Sequence, residues 1–296
     1  MSFEIAREHK SRMKRLRLPM RRRREGKTDY RQRHNLIRHS KRNYGEVKSR
    51  LVVRLTNNKV ICQIVQAYQV GDKVICSAES TELAKYGVTF GLKNYSAAYA
   101  TGFLCARKLL SKLGLAEEYT GKEEIDGEDY LESDNEEGPQ AFRCYLDLGL
   151  ARSSNGAKVF AAMKGACDGG LHIPHSPSKF TGYDKESEEV DAEVFRKRIF
   201  GQHVAEYMTL MKEENPEKYE VHFSEYIKQN ITPDMIEGIY ESAFEKIRAD
   251  TFVEKSEKKT YDRSQYKLKN EKRLSGEEKK LRALAKLQTL TGTNQA

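Results

Sequence analysis

Residues 50–80 read RLVVRLTNNKVICQIVQAYQVGDKVICSAES, with apolar side chains recurring at every second position over much of the stretch. Alternation of this kind buries one face of a strand and wets the other, and a slip of one residue would invert both faces, so strand identity and register are constrained together. Three strands are predicted, over residues 51–56, 60–68 and 73–78. Asn57-Asn58 and Gly71-Asp72 stand at the joints, and these residue types tolerate positive φ, so the strands should form an antiparallel meander. Its apolar face needs a cover.

Residues 94–114, NYSAAYATGFLCARKLLSKLG, supply one. Asn94 is a natural N-cap and Gly114 a stop. Tyr99, Phe103, Ala106, Leu110 and Leu113 fall on one helical stripe, and Gly102 permits close approach, so the helix should lie on the sheet. Arg107, Lys108 and Lys112 project elsewhere near its C-terminal end, where the helix dipole favours cations. Residues 117–137 are strongly acidic with little periodicity and read as a solvated connection carrying a short edge segment. A second apolar block, AFRCYLDLGLARSSNGAKVFAAMKGACDGGLHIPH, offers strands at 142–148 and 158–163, separated by Ser153-Ser154-Asn155-Gly156, and a short helix starting within 165–170.

Beyond Asp191 the period becomes helical: Phe200, Val204, Tyr207, Met208 and Met211 share one face. Asn215-Pro216 and Thr232-Pro233 each place a capping side chain before a first-turn proline, which predicts three successive helices. After Asp250 the chain is lysine-rich and closes on a candidate short helix, EEKKLRALAKLQTL. The fold class expected is an α/β (α+β) sandwich: a mixed sheet with packed helices, a C-terminal helical region, and basic N- and C-terminal extensions. The segments are 1–49 (basic arm), 50–180 (α/β core), 181–249 (helical region) and 250–296 (basic tail).

Charge is concentrated at one end. The whole chain carries +9, yet its first fifty residues hold 18 Lys and Arg against five acids, a local excess of +13. So dense a block should stay extended until an anion neutralises it, and it favours a polyanionic partner. No basic amphipathic helix is apparent there, which argues against a membrane surface. No apolar run has the length of a membrane span, and Glu4, Arg7, Glu8 and Lys10 interrupt any secretory leader, so the chain is expected to be soluble and intracellular. Five dispersed cysteines without C-x-x-C spacing read as reduced core residues.

Three enzymatic readings fail on spacing. Gly26-Lys27-Thr28 ends like a phosphate loop, but the residue five before Gly26 is Arg21, followed by three more arginines, and no apolar strand precedes it. His172 and His175 lie beside Cys167 and Asp168, with Pro174 breaking any helical ligand pair, so they read as structural or phosphate-contacting. Asp147 and Asp168 could serve a metal-dependent RNA-processing nuclease, but no third acid ends another apolar strand. No catalytic group, metal or cofactor is therefore assigned. What remains is RNA contact by the arm: guanidinium forks bind phosphate and stack on bases, with Tyr30 and Tyr44 as stacking positions. A nuclear localisation signal in Arg21–Arg24 is compatible with the same reading.

Several segments then resemble one known family. RRRREGKTDY from Arg21, ICQIVQA from Ile61, KYGV-x-x-GL-x-NY-x-AAY-x-TG from Lys85, CYLDLGLAR from Cys144, KVFAAMKGACDGGLHIPHS from Lys158 and ITPDMIEGIYESAFEKIR from Ile231 are similar to the 5S-rRNA-binding family of the large ribosomal subunit, called L five in eukaryotes and L eighteen in bacteria. The likeness covers residues 21–248; it departs before Arg21, where residues 12–20 read RMKRLRLPM. The resemblance implies a non-catalytic α/β core that clasps 5S rRNA, with extensions reaching large-subunit rRNA. It further implies a 5S particle shared with a second 5S-associated ribosomal protein, contacts with other large-subunit proteins and with assembly and import factors, and passage through nucleus and nucleolus to cytoplasmic ribosomes. Carried onto this sequence, Arg21, Arg22, Arg23, Arg24, Lys27 and Tyr30 become the RNA-clamping arm, with Arg33 beside them. Arg54, Asn94, Tyr95, Arg152, Lys158, Lys164, His172 and His175 become the RNA surface of the core.

Overall fold

The alternating stretch does form the sheet. In the computed structural model, which describes residues 19–38, 47–135, 138–252 and 274–291, strands β1 (Ser49–Leu55), β2 (Val60–Tyr68) and β3 (Gly71–Glu79) form an antiparallel meander. A fourth strand, β4 (Cys144–Asp147), joins β1 in parallel, giving the mixed order β3-β2-β1-β4. Leu51 pairs with Ile64 and Val53 with Cys62, so all four side chains fall on one buried face. A bulge between Ile64 and Val65 shifts the register with β3, so that Ile64 pairs with Cys76 and Val65 with Val74. β4 is shorter than the predicted 142–148.

Helix α1 (Arg21–Arg24) and helix α2 (Tyr30–Ile37) come from the basic arm, and helix α3 (Tyr95–Leu113) covers the apolar face of the sheet. The Asn94 side chain accepts from the Ala97 amide at 2.6 Å, and Gly114 leaves the helix at φ 74, so both ends are set as their residue types predict. Burial exceeds the expected stripe: residues from Tyr95 to Arg107 are all buried, whereas Leu113 is exposed. The reason is helix α4 (Lys158–Asp168), which packs along α3.

Residues 158–163, predicted as a strand, are the first half of α4, and 165–170 end that helix instead of starting one. From Val159 to Asp168 this segment is buried on every side, so neither a period of two nor one of 3.6 is visible in it. Close packing explains its small residues. A Cβ on Gly102 would lie 1.9 Å from the Ala162 carbonyl oxygen, and one on Gly165 would lie 2.1 Å from that of Tyr99, so the two backbones touch through glycine.

The acidic connection has no helix or strand among its described residues, but it is anchored. Tyr119 is buried and its hydroxyl donates to the Pro139 carbonyl, while Lys122 N–H donates to the carbonyl of Asp168. The cations of α3 are also engaged internally, contrary to their expected projection: Arg107 donates to the Ala116 and Tyr119 carbonyls, Lys108 to Glu82 and Lys112 to the Ile75 carbonyl.

The helical region has five helices where three are predicted: α5 (Ala192–Phe200), α6 (Gln202–Glu214), α7 (Pro216–His222), α8 (Ser224–Lys228) and α9 (Met235–Ala249). The extra breaks fall at Gly201, at φ 81, and at Phe223, whose side chain is buried. Met208 and Met211 are buried as the shared face predicts, while Tyr207 stays exposed. Phe244 meets Tyr99, Phe103 and Phe200 edge-on at centroid distances of 5.5, 5.8 and 5.8 Å, so α9 completes the same core as α3 and the sheet. The chain divides into two compact units, Met1–Val253 and Glu254–Ala296. In the second, Ser275 caps helix α10 (Gly276–Thr291) by accepting from the Glu278 amide, and the Glu278 carboxylate accepts in return from the Ser275 amide.

Candidate nucleic-acid interface

Alternation puts Arg50, Val52 and Arg54 of β1 on the sheet face opposite α3, with Gln63 and Val65 of β2 and Asp72 of β3 beside them. The arm lies against this outer face. Asp29 caps α2 by accepting from the Arg31 and Gln32 amides, and Arg33, one turn on, forms a two-pronged bond to Asp72 at 2.5 and 2.6 Å. Between arm and sheet is a cavity of about 570 Å³. Arg22 and Tyr30 contribute one side, and Val52, Val65 and Val74 contribute apolar surface from the sheet.

A chain of ion pairs runs through this floor. Arg50 bonds Asp72 at 2.9 Å and Asp147 at 2.7 Å, and Arg54 bonds the other carboxylate oxygen of Asp147 at 2.8 Å and its carbonyl at 2.7 Å. The Arg33 hydrogen bond, with Arg50 adding to it, holds the Asp72 carboxyl below the usual carboxylate range, and the same bond raises the Arg33 guanidinium above its ordinary value. Arg50 was not singled out from the sequence. Its Nε–H is buried without an acceptor among the described residues, although its two terminal nitrogens are bonded.

The arm is therefore folded where the sequence predicts an extended block, at least over residues 19–38. Local acids explain it: Glu25 pairs with Arg21 at 2.8 Å and Lys27 at 2.9 Å, and Asp72 anchors Arg33 from a distant strand. The pair around Glu25 lowers its carboxyl, the Arg21 bond first. Arg22 Nε donates to the Thr28 hydroxyl and Arg24 Nε to the Pro19 carbonyl. Arg23 has no side-chain partner among the described residues, and all four α1 arginines are exposed. The stacking position Tyr44 and the lysines of residues 254–273 lie outside the described residues.

The other predicted site residues are spread over the molecule. Arg152 is exposed in the loop before α4, and Lys158 is exposed at the first residue of α4, its ammonium lowered by partial burial and by Lys93. Asn94 is occupied at the α3 cap and donates to the Tyr240 hydroxyl at 3.1 Å. Tyr95 is buried edge-on to Phe195, and burial pushes its hydroxyl up to about 12. His172 donates from Nδ1 to the Glu132 carbonyl at 2.7 Å and accepts from Arg143 at 3.1 Å; His175 donates from Nδ1 to the Ile173 carbonyl and from Nε2 to Asp129 at 2.9 Å. Both imidazoles thus bind the acidic connection to the core.

Lys164 corrects an expectation outright. It is wholly buried, with Nζ 2.6 Å from Asp168, which also accepts from the Tyr99 hydroxyl at 2.6 Å. A side chain so placed has no surface to offer an RNA; its spacing of four from Asp168 within an apolar run was the available signal. Asp147 and Asp168 do not converge either: one is clamped by arginines on the outer face, the other lies among the helices behind the sheet. Among the described residues no group of His, Cys, Asp and Glu is arranged to hold a metal, and no helix is long and apolar enough to cross a membrane. The five cysteines are free and buried, as their spacing predicts.

Residues 14–176 match the family described as ribosomal large subunit proteins 60S L5, and 50S L18, and residues 236–292 match the ribosomal L18 C-terminal region. A Suberites domuncula protein named large ribosomal subunit protein uL18 is 49% identical over 278 residues, covering 92% of this chain and 95% of its own. Proteins of the same name from Eimeria tenella and Saccharomyces cerevisiae are 48% and 46% identical, each alignment covering 97% or more of both chains. Likeness of this extent defines a structural ribosomal protein of the large subunit, not an enzyme. Within that class, the chain belongs to the uL18 family.

Proposed function

We propose that this protein binds 5S rRNA and, with a second 5S-associated ribosomal protein, takes part in forming the 5S particle and in large-subunit assembly. The observation that carries the reading is α1: four exposed guanidinium groups on one turn, presented by an arm that Asp29 caps and Asp72 anchors. Guanidinium forks held in place lose less freedom on meeting phosphate than those of a free tail. Arg21 to Arg24, Lys27 and Tyr30 form the gripping set, while Arg33 and Arg54 set the geometry of the site through their carboxylates. Arg152 and Lys158 extend the cationic surface, and Asn94, Tyr95, His172 and His175 support it from within. Segments 1–49 and 250–296 add contacts to 5S and large-subunit rRNA beyond those of the 50–180 core and the 181–249 helical region. Import and assembly factors deliver the protein through nucleus and nucleolus, and the ribosome holds it in the cytoplasm without membrane contact.

The test compares purified protein on 5S rRNA and on a tRNA of similar size across a salt series. The expected result is preference for 5S rRNA and a steep salt slope, which charge reversal at Arg22 and Arg23 flattens by roughly one for each phosphate no longer neutralised. Equal affinity for both RNAs would end the 5S reading.

A further inference from the structure

The cavity under the arm has a shape and chemistry that phosphate gripping leaves unexplained. Its volume of about 570 Å³ falls within the roughly 300–1,000 Å³ that single small ligands occupy. Val52, Val65 and Val74 give it apolar surface, Tyr30 lines the arm side, and polar groups sit between them. A phosphate has no use for an apolar floor. A nucleobase does: its faces are apolar and its edge carries donors and acceptors.

One polar group there is available to a ligand. Arg50 lines the wall but is only 3% exposed, and its terminal nitrogens are spent on Asp72 and Asp147, so it stiffens the wall and leaves the base edge to others. Gln63, at the same wall, is engaged only by a long 3.4 Å bond from its amide nitrogen to Ser77. Its amide presents one acceptor and two donors to a base edge. Asp72 and Asp147 are already held by arginines, so they tie the floor together without repelling a nucleotide. At the mouth, Arg54 and Arg22 remain partly exposed to meet the nucleotide's own phosphate.

We infer that this cavity receives a single unpaired nucleotide turned out of a bound RNA, its base against the valines and Tyr30 and its edge on the Gln63 amide. The inference rests on the RNA-binding reading but adds a base-reading pocket to it. The arm is then one wall of a binding site as well as a source of charge.

The test uses the full chain bound to 5S rRNA, with base-specific chemical probing of the RNA and ultraviolet cross-linking mapped by mass spectrometry. Wild type should shield one unpaired nucleotide and cross-link it to a peptide containing Tyr30. Val74→Trp fills the mouth from a position that is 47% exposed, and it should unshield that nucleotide, abolish the cross-link and weaken binding roughly ten- to hundredfold, the worth of one stacked base. Gln63→Leu, which removes only the amide, should weaken the same shielding and gives the decision if Val74→Trp unfolds. Full-affinity binding with no nucleotide shielded or cross-linked there, or an unchanged pattern in the folded variants, overturns the pocket alone. Failure of wild type to bind any RNA overturns the RNA reading, and the pocket with it.

Discussion

Lys164→Met tests the buried ion pair behind the sheet. Lys164 and Asp168 have side-chain exposures of 0% and 1%, and the carboxylate is held by the Lys164 ammonium and the Tyr99 hydroxyl, each at 2.6 Å. Burial pushes the Asp168 carboxyl above its ordinary value; the charge of Lys164 and the bonds from Lys164 and Tyr99 pull it back. Methionine fills the space of the lysine stem but leaves the carboxylate without a counter-charge, and breaking a buried pair from one side costs about 3–5 kcal/mol. Lys164→Met with Asp168→Asn should be markedly more stable than Lys164→Met alone, because the neutral amide still accepts from Tyr99 and needs no cation. The loss should also depend on pH with a definite sign. Without the ammonium, the folded-state carboxyl rises further above its unfolded value, so the protonated form is favoured by folding. The deficit is then smallest below the unfolded carboxyl range and grows as pH rises through the folded value. Urea unfolding of the full chain at acidic and neutral pH measures both effects. A deficit under about 1 kcal/mol at neutral pH would refute the assignment, as would an equal deficit at both pH values, since breaking this pair should cost several times that figure. The double variant should retain 5S rRNA affinity, because no part of Lys164 reaches the surface.

Gly165→Ala places a methyl where the Tyr99 carbonyl stands, and backbone cannot step aside as a flexible side chain does; denaturant unfolding should show a loss of about 3 kcal/mol or more. Gly238→Ala on α9, where an added Cβ meets nothing within 4 Å, is the control and should stabilise by about 0.5–1 kcal/mol. For the His175–Asp129 pair, burial lowers the imidazole most, but the Asp129 bond, the Ile173 carbonyl and the Asp129 charge together leave it above its ordinary value, while the His175 bond holds Asp129 low. Its contribution is present above the ordinary carboxylate range and is lost as pH rises through the elevated imidazole value. Nuclear magnetic resonance titration should find His175 above the usual imidazole value in wild type and below it in Asp129→Asn; an unchanged value would show that the bond does not form.

What could be read from the chain depended on whether a residue's environment was recorded nearby in sequence. Strands β1 to β3 were legible because each buries one face only, and α3 because Asn94 and Gly114 mark its ends. Helix α4 was not: with Val159, Phe160, Ala162, Met163 and Ala166 buried around its whole circumference, nothing in the pattern told strand from helix. Gly102 was visible as a point of close approach, but its partner across the contact, Ala162, lies sixty residues on. The helix breaks at Asn215-Pro216 and Thr232-Pro233 were local and legible; the one at Phe223 depends on where a ring finds the core. Lys164 was misplaced for the same reason as α4, since a charge in sequence carries no label of its burial.

The outer face shows why counting charges locates an anion-binding region but cannot compose its site. The arm's excess of +13 is a sum over residues 1–50, and it treats every cation as free to meet phosphate. Some are not: beyond the local Glu25 pairs, Arg33 is tied to Asp72, and Arg50 to both Asp72 and Asp147, partners 22 to 97 positions away in sequence. Each pairing converts a guanidinium from a mobile counter-charge into a strut, and the Arg50–Asp147 pair is buried on both sides, so solvent screens it less than it would a surface pair. The arginines of α1 pair with neither of these carboxylates and stay exposed. Tertiary pairing thus sorts one basic segment into a scaffold that shapes a cavity and a turn that faces the polyanion, and only the second group should register in the salt dependence of RNA binding.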